Sequence, residues 1–245
     1  MVNIKLILSY DGTNYCGFQI QKNGPTIQGI LEQALAKRTG ESIRIIGGSR
    51  TDSGVHARGQ VVNFHTKSTI PPAAFAPALN SLLPPDIVIR HSRRVPEEFH
   101  ARYSAKGKVY HYLINTRQRP LPFERHHSWQ LGGPLDLRAM EMAARFLEGR
   151  HDFRGFQAVG SPVKSTIRTI KKVFIRARGP LVILSFHGDG FLYRQVRNMV
   201  GTLVAIGQGR MSPGVIPEII AGQDRSAAGP TAPPQGLFLG RIFYP

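Results

Sequence analysis

The chain has 245 residues, 41% of them hydrophobic, which suits one large or two smaller domains around a substantial core. Lysine and arginine number 32 against 15 acidic residues, for a formal net charge of +17. The excess points to a polyanionic partner, because each phosphate neutralised releases a counterion. A single cysteine, Cys16, excludes an internal disulfide or a multi-cysteine zinc site, and no apolar run reaches membrane-spanning length.

Residues 3–10 alternate as a strand and end in the turn pair Asp11-Gly12. The opening MVNIKLILSYDG turns polar too quickly for a signal peptide, so the expected location is cytoplasmic. Thr26 can cap a helix with Ile27, Ile30, Leu31, Ala34 and Leu35 inward, closed by Gly40. Strands are expected at 42–47, from Gln60 to about Thr66 and at 87–95. A helix through Phe75, Leu79 and Leu82 lies between Pro71-Pro72 and Pro84-Pro85. This order is the ferredoxin-like β-α-β-β-α-β.

The rest repeats the order with insertions. Strands fit 104–116 and 126–131. Asp136 can start a helix with Leu137, Met140, Ala144 and Leu147 inward, ended by Gly149. Strands follow at 167–178 and 181–187. A helix from about 191 to 206 has Val196, Met199, Val200, Leu203 and Val204 as its apolar face. A shorter helix near 214–221, an Ala/Gly/Pro-rich loop from Gly222 to Gly236, ordered or mobile, and a strand from Leu237 to Tyr244 close the chain. The expected fold class is α+β, two ferredoxin-like halves with antiparallel sheets, residues 1–103 and 104–245.

Candidate chemistry centres on GGSRTDSGVHARGQVVNF, Gly47 to Phe64. Its glycines permit tight turns that project Asp52 from a strand edge, Asp52 capping the turn being the plain alternative. Tyr110 and Tyr112 share one face of a strand flanked by Lys106 and Lys108. A cation-edged aromatic face suits a base taken out of its stack, while either tyrosine could equally be core. Arg197 lies opposite the Val196 stripe with Arg194 and Gly201. There it needs an acidic partner such as Asp52 or binds a phosphate. Arg50, Arg58, Arg102 and Arg168 are expected to meet the substrate or brace its cleft, with ordinary surface charge as the alternative. His56 fits a turn hydrogen bond better than a ligand role. His126-His127 and His151-Asp152 lack a third ligand at metal spacing.

Four strings together, YDGTNYCGFQIQ (10–21), GGSRTDSGVHARGQVVNF (47–64), FHARYSAKGKVYHYLI (99–114) and FLYRQVRNMVG (191–201), resemble the tRNA pseudouridine synthases of the TruA family. The resemblance covers essentially the whole chain. Phe18 stands where a Trp is common, and Gln195 where a Met is common. The resemblance implies an isomerase that makes pseudouridine at positions 38, 39 and 40 of the tRNA anticodon stem-loop, without cofactor or metal. It further implies a homodimer whose two-part subunits flank a basic cleft. It places the catalytic aspartate at Asp52, the substrate-stacking tyrosine at Tyr110 and the aspartate's arginine partner at Arg197.

The residue types suit that chemistry. Pseudouridine formation breaks the N1–C1′ bond, turns the uracil and rejoins it through C5. The step is redox-neutral and needs an ionised carboxylate, as nucleophile or as base at C2′, which a nearby arginine keeps charged. A glycoside hydrolase would want two placed carboxylates. A metal-dependent nuclease would want an acidic cluster, and here only Glu97-Glu98 are adjacent. A non-catalytic tRNA-binding protein explains the charge but leaves Asp52 without a task.

Overall fold

Alternation sets the first strand: Ile4, Leu6 and Leu8 are fully buried along β1 (Val2–Tyr10). A computed structural model of the chain describes residues 1–119, 121–160 and 163–245. The chain divides into two compact units, 1–106 with 238–245, and 107–237. Each is mixed α and β with a mostly antiparallel sheet. Among the described residues no helix is long and apolar enough to cross a membrane.

In the first unit, α1 (Ile27–Thr39) starts where Thr26 Oγ1 accepts the Gly29 N–H at 3.2 Å, and it ends at Gly40 with φ +73°. Ile27, Leu31, Ala34 and Leu35 are buried, while Ile30 is half-buried. The strand expected over 42–47 contracts to β2 (Ile46–Gly47). Ile43 and Ile45 are buried, but the Ile45 N–H goes to the Glu32 carboxylate of α1 at 3.0 Å instead of to a neighbouring strand. β3 (His56–Thr66) begins at His56 rather than at Gln60. α2 (Phe75–Asn80) follows a 3-10 turn at Pro72–Ala74, and β4 (Ile87–Val95) comes next. β1 lies between β3 and β4, antiparallel to both, and β2 pairs antiparallel with β3.

In the second unit, β5 (Gly107–Asn115) carries β6 (Trp129–Gln130) in parallel at its end. The strand expected over 126–131 is thus only that short. α3 (Leu137–Arg145) is capped by Asp136, which accepts the Ala139 N–H at 3.0 Å. It stops at Arg145, not Gly149. The N–H groups of Phe146, Leu147 and Glu148 turn back to Ala143, Ala144 and Arg145, and Gly149 (φ +109°) opens a strand that sequence reasoning missed, β7 (Gly149–Asp152). β8 (Ile167–Arg178) and β9 (Leu181–Gly188) complete an antiparallel order β5-β9-β8-β7. α4 (Gln195–Gly207) starts later than 191 and is buried on every side, so its single-stripe expectation understates it. α5 (Val215–Gly222) follows.

Sequence order groups the last strand, β10 (Leu237–Phe243), with 104–245. Its residues Phe238 and Leu239 instead run parallel to His56 and Ala57 in the first unit. A pairing between residues so far apart in the chain leaves no local pattern to read.

Candidate active site

The loop between β2 and β3 is placed by side chains beneath it and by a second loop laid against it. Gln60, fully buried on β3, is its main support. Its amide nitrogen donates to Ser49 O at 2.7 Å and to the Tyr10 hydroxyl at 3.3 Å; its Oε1 accepts from the N–H groups of Ser49 (3.2 Å) and Val61 (3.1 Å). The Tyr10 and Thr51 hydroxyls share a 2.7 Å hydrogen bond. Thr51 O also accepts the Phe18 N–H at 3.0 Å, and Asp52 O accepts the Val55 N–H at 3.1 Å in a turn. The loop over 11–18 approaches so closely that only glycine fits at two points. A Cβ on Gly12 would sit 2.1 Å from Val55 O. One on Gly17, where φ is +94°, would sit 2.7 Å from Thr51 O. Thr51 is buried and Arg50 exposed on either side of this clamp, and Asp52 is half-buried.

His56 is buried, with Nδ1 3.0 Å from Gly12 N and 3.1 Å from an Asp11 carboxylate oxygen. One ring nitrogen cannot serve both. In the neutral ring with its proton on Nε2, Nδ1 accepts the Gly12 N–H, whereas the protonated ring donates to Asp11. Either way His56 ties the Asp11-Gly12 turn to β3, the turn role the sequence favours. Its ring stacks on Phe238 at 4.6 Å, and the Arg58 guanidinium lies 5.3 Å from the same phenyl ring.

Tyr110 and Arg197 belong to the second unit. Tyr110 is 6% exposed and meets Phe191 edge-on at 5.3 Å. Tyr112 resolves the core alternative for itself. It is fully buried, its hydroxyl donates to Pro233 O at 2.7 Å, and burial pushes its phenol well above the ordinary tyrosine range, with the Arg197 charge pulling the other way. Arg197 is 8% exposed on α4, and its Nε donates to Ala232 O at 2.7 Å while its own carbonyl accepts the Ala232 N–H.

The segment 228–236 is therefore an ordered strap over α4. Gly201 lets it close: a Cβ there would be 1.6 Å from Pro230 O. Thr202 Oγ1 accepts the Gly229 N–H at 2.9 Å, and Asn198 Oδ1 accepts from Thr231 Oγ1 at 2.6 Å and from Arg225 at 3.1 Å. Arg225 also donates to Gly229 O at 3.0 Å.

The remaining arginines divide. Arg168 braces its own turn, donating to Ser165 O at 2.9 Å and Ile167 O at 2.6 Å. Arg58 and Arg102 are exposed, the latter 5.6 Å from the Tyr103 ring. Sequence reasoning missed Tyr10, Gln60, Asn198 and Arg225, which act by holding the site residues. Only Gly12 and Gly17, inside the aromatic loop string, offered a local signal of close packing.

A half-buried carboxylate on a clamped loop, in a strongly basic α+β chain, fits an enzyme that works on a polyanion. The family whose sequence profile matches residues 6–104 and 143–245 is described as tRNA pseudouridine synthase. The match includes Asp52 and Arg197 and leaves out Tyr110. The chain is 48% identical to tRNA pseudouridine synthase A of Geotalea daltonii and to that of Acetivibrio thermocellus, over 100% of each chain. It is 48% identical to that of Moorella thermoacetica over 98% of this chain and 99% of that one. A chain of the archaeal box H/ACA sRNP Nop10-Cbf5 complex aligns at 12% identity and TM-score 0.36, covering 82% of this chain and 43% of that one, too distant to add to the assignment. The chain belongs to the tRNA pseudouridine synthase family.

Proposed function

We propose that this chain isomerises uridine to pseudouridine in the anticodon stem-loop of tRNA, with Asp52 as the reacting carboxylate. The observation that carries the reading is the clamped loop: Asp52 sits in the Arg-Thr-Asp-x-Gly-Val-His-Ala string, on a turn fixed from below by Gln60 and Tyr10 and from the side by Gly12 and Gly17. Fixing a carboxylate in advance lowers the cost of reaching the transition state, because little reorganisation remains.

In this reading each half is a ferredoxin-like unit and the two flank a basic cleft. Arg197 pairs with the Asp52 carboxylate and keeps it ionised. Tyr110 stacks on the displaced uracil, and Arg50, Arg58, Arg102 and Arg168 hold phosphates or brace the cleft. The N1–C1′ bond breaks, C5–C1′ forms, the C5 proton leaves and N1 is protonated. The Tyr110 hydroxyl is the group we assign to the C5 proton. A symmetric dimer acting on cytoplasmic tRNA completes the proposal.

Transfer RNA carrying tritium at uracil C5 tests it. Turnover must release that label to water in step with pseudouridine appearing in digests. A protein that binds tRNA tightly and releases no label is a binding protein, and the synthase reading then fails.

A further inference from the structure

The turn over 96–104 carries an aromatic pair that the isomerisation itself does not require. It is fastened within the first unit, beside the start of the Asp52 loop. The Asn3 amide donates to Pro96 O at 3.0 Å and Phe99 O at 2.9 Å, and the Ala101 N–H donates to Asn63 Oδ1 at 2.8 Å. Ala101 O accepts the Tyr244 hydroxyl at 2.6 Å and lies 3.1 Å from where a Cβ on Gly48 would be.

At the tip, His100 is held in one orientation. Its Nδ1 accepts the N–H groups of Arg102 and Tyr103, both at 3.2 Å, which leaves the neutral ring's proton on Nε2. Ser104 bonds the His100 backbone at both ends, at 3.1 and 2.9 Å. The Tyr103 ring stacks on this anchored imidazole, centroids 4.3 Å apart and planes 29° off parallel. Tyr103 is nevertheless 76% exposed, and the Arg102 guanidinium stands 5.6 Å from its ring.

An aromatic ring backed on one face by a fixed imidazole is already ordered, so a flat partner on its open side costs little further entropy. The Arg102 guanidinium, 5.6 Å from the ring centroid, supplies a cation for the phosphate such a partner would bring. We propose that the His100–Tyr103 pair is a stacking platform for an unpaired nucleobase of the RNA substrate, neighbouring the target uridine, with Arg102 on an adjacent phosphate. The inference rests on the synthase reading and adds a binding position to it.

The test measures binding of tRNA and of an anticodon stem-loop RNA by the full chain and by Tyr103→Phe, Tyr103→Leu and Tyr103→Ala, at several salt concentrations, with a melting curve for each. The expected result is Phe binding like the parent and Ala binding about 5- to 150-fold more weakly. Leu should fall close to Ala, because it keeps bulk and loses the flat ring. Stacking releases no counterion, so Ala should keep the parental slope of log affinity against log salt, whereas Arg102→Ala should lower that slope by about 0.7–0.9. Parental affinity in Tyr103→Ala overturns the platform, as does Leu binding as well as Phe. A loss in Ala that comes with a clear fall in melting temperature, both restored by Leu, also overturns it and assigns Tyr103 to the fold. Tritium release by the parent reports separately on the synthase reading: a parent that binds tRNA without releasing label sinks that reading, while the Tyr103 series still decides the platform.

Discussion

The Asp52 loop and the α4 helix position charges of opposite sign by different means. Asp52 stays half-buried, and the loop around it is held by Gln60 on the Ser49 backbone, by the Tyr10 hydroxyl on that of Thr51, and by the Gly12–Gly17 loop against Val55 and Thr51. Arg197 is gripped by the side chain itself, its Nε held to Ala232 O by a strap that Asn198, Thr202 and Arg225 secure. The contrast follows from solvation. A buried guanidinium needs its donors satisfied by protein, whereas a carboxylate proposed to react has to keep an open side. Loop chemistry therefore depends on a placed backbone, and helix chemistry on a placed strap.

Substitutions can break or sharpen that contrast. The largest effect belongs to Asp52→Asn, which keeps size and removes charge: tritium release should be undetectable, with tRNA affinity equal to or slightly above the parent's because one repulsive charge is gone. Activity within about tenfold of the parent, roughly 1.4 kcal/mol of barrier, would take Asp52 out of the reaction.

Tyr110→Phe comes next. It retains the ring against Phe191 and removes only the hydroxyl. If that hydroxyl takes the C5 proton, turnover should fall by about 10²–10⁴-fold with tRNA binding retained. Parental turnover would restrict Tyr110 to stacking.

Gly201→Ala and Gln60→Ala probe the two means of support side by side. The added methyl at position 201 would meet Pro230 O at 1.6 Å, so the strap must move and Arg197 with it. We expect a loss of about 1–3 kcal/mol in stability and a fall in kcat larger than any change in tRNA affinity. Gln60→Ala leaves the Ser49 and Val61 N–H groups without their buried acceptor, at about 1–3 kcal/mol in denaturant melts, and loosens the Asp52 turn. Parental kcat in either variant would show that support dispensable.

The smallest effect should come from Tyr112→Phe. Its hydroxyl serves Pro233 O only as a tether. The expected cost is about 1 kcal/mol of stability with near-parental turnover. A turnover loss matching that of Tyr110→Phe would mean the two tyrosines share the proton step.

Local signals carried much of this fold. Thr26 and Gly40 bracket α1, Asp136 starts α3, and the period of two along 3–10 marks β1, because caps and alternation act between residues close in sequence. The Asp52 turn was legible for the same reason: its glycines, arginines and aspartate lie within one string, and the family resemblance rests on that string and three others. β2 and β7 were misjudged because a side chain from α1 took one strand's N–H, while the other, Gly-Arg-His-Asp, lacks the β-branched and aromatic residues that announce a strand.

What the chain determined by itself was the element order of the first half, the chemical character of the site and the polyanionic partner implied by +17 charges. Tertiary structure alone decided that 238–243 joins the first unit through His56 and Ala57, that 228–236 is a strap rather than a loose loop, and that Tyr112 is core. Each of those outcomes is a hydrogen bond or a close approach between residues far apart in the chain. Caps, periodicity and turn chemistry report only on near neighbours, so no string of residues carries the partner's position until the chain has folded.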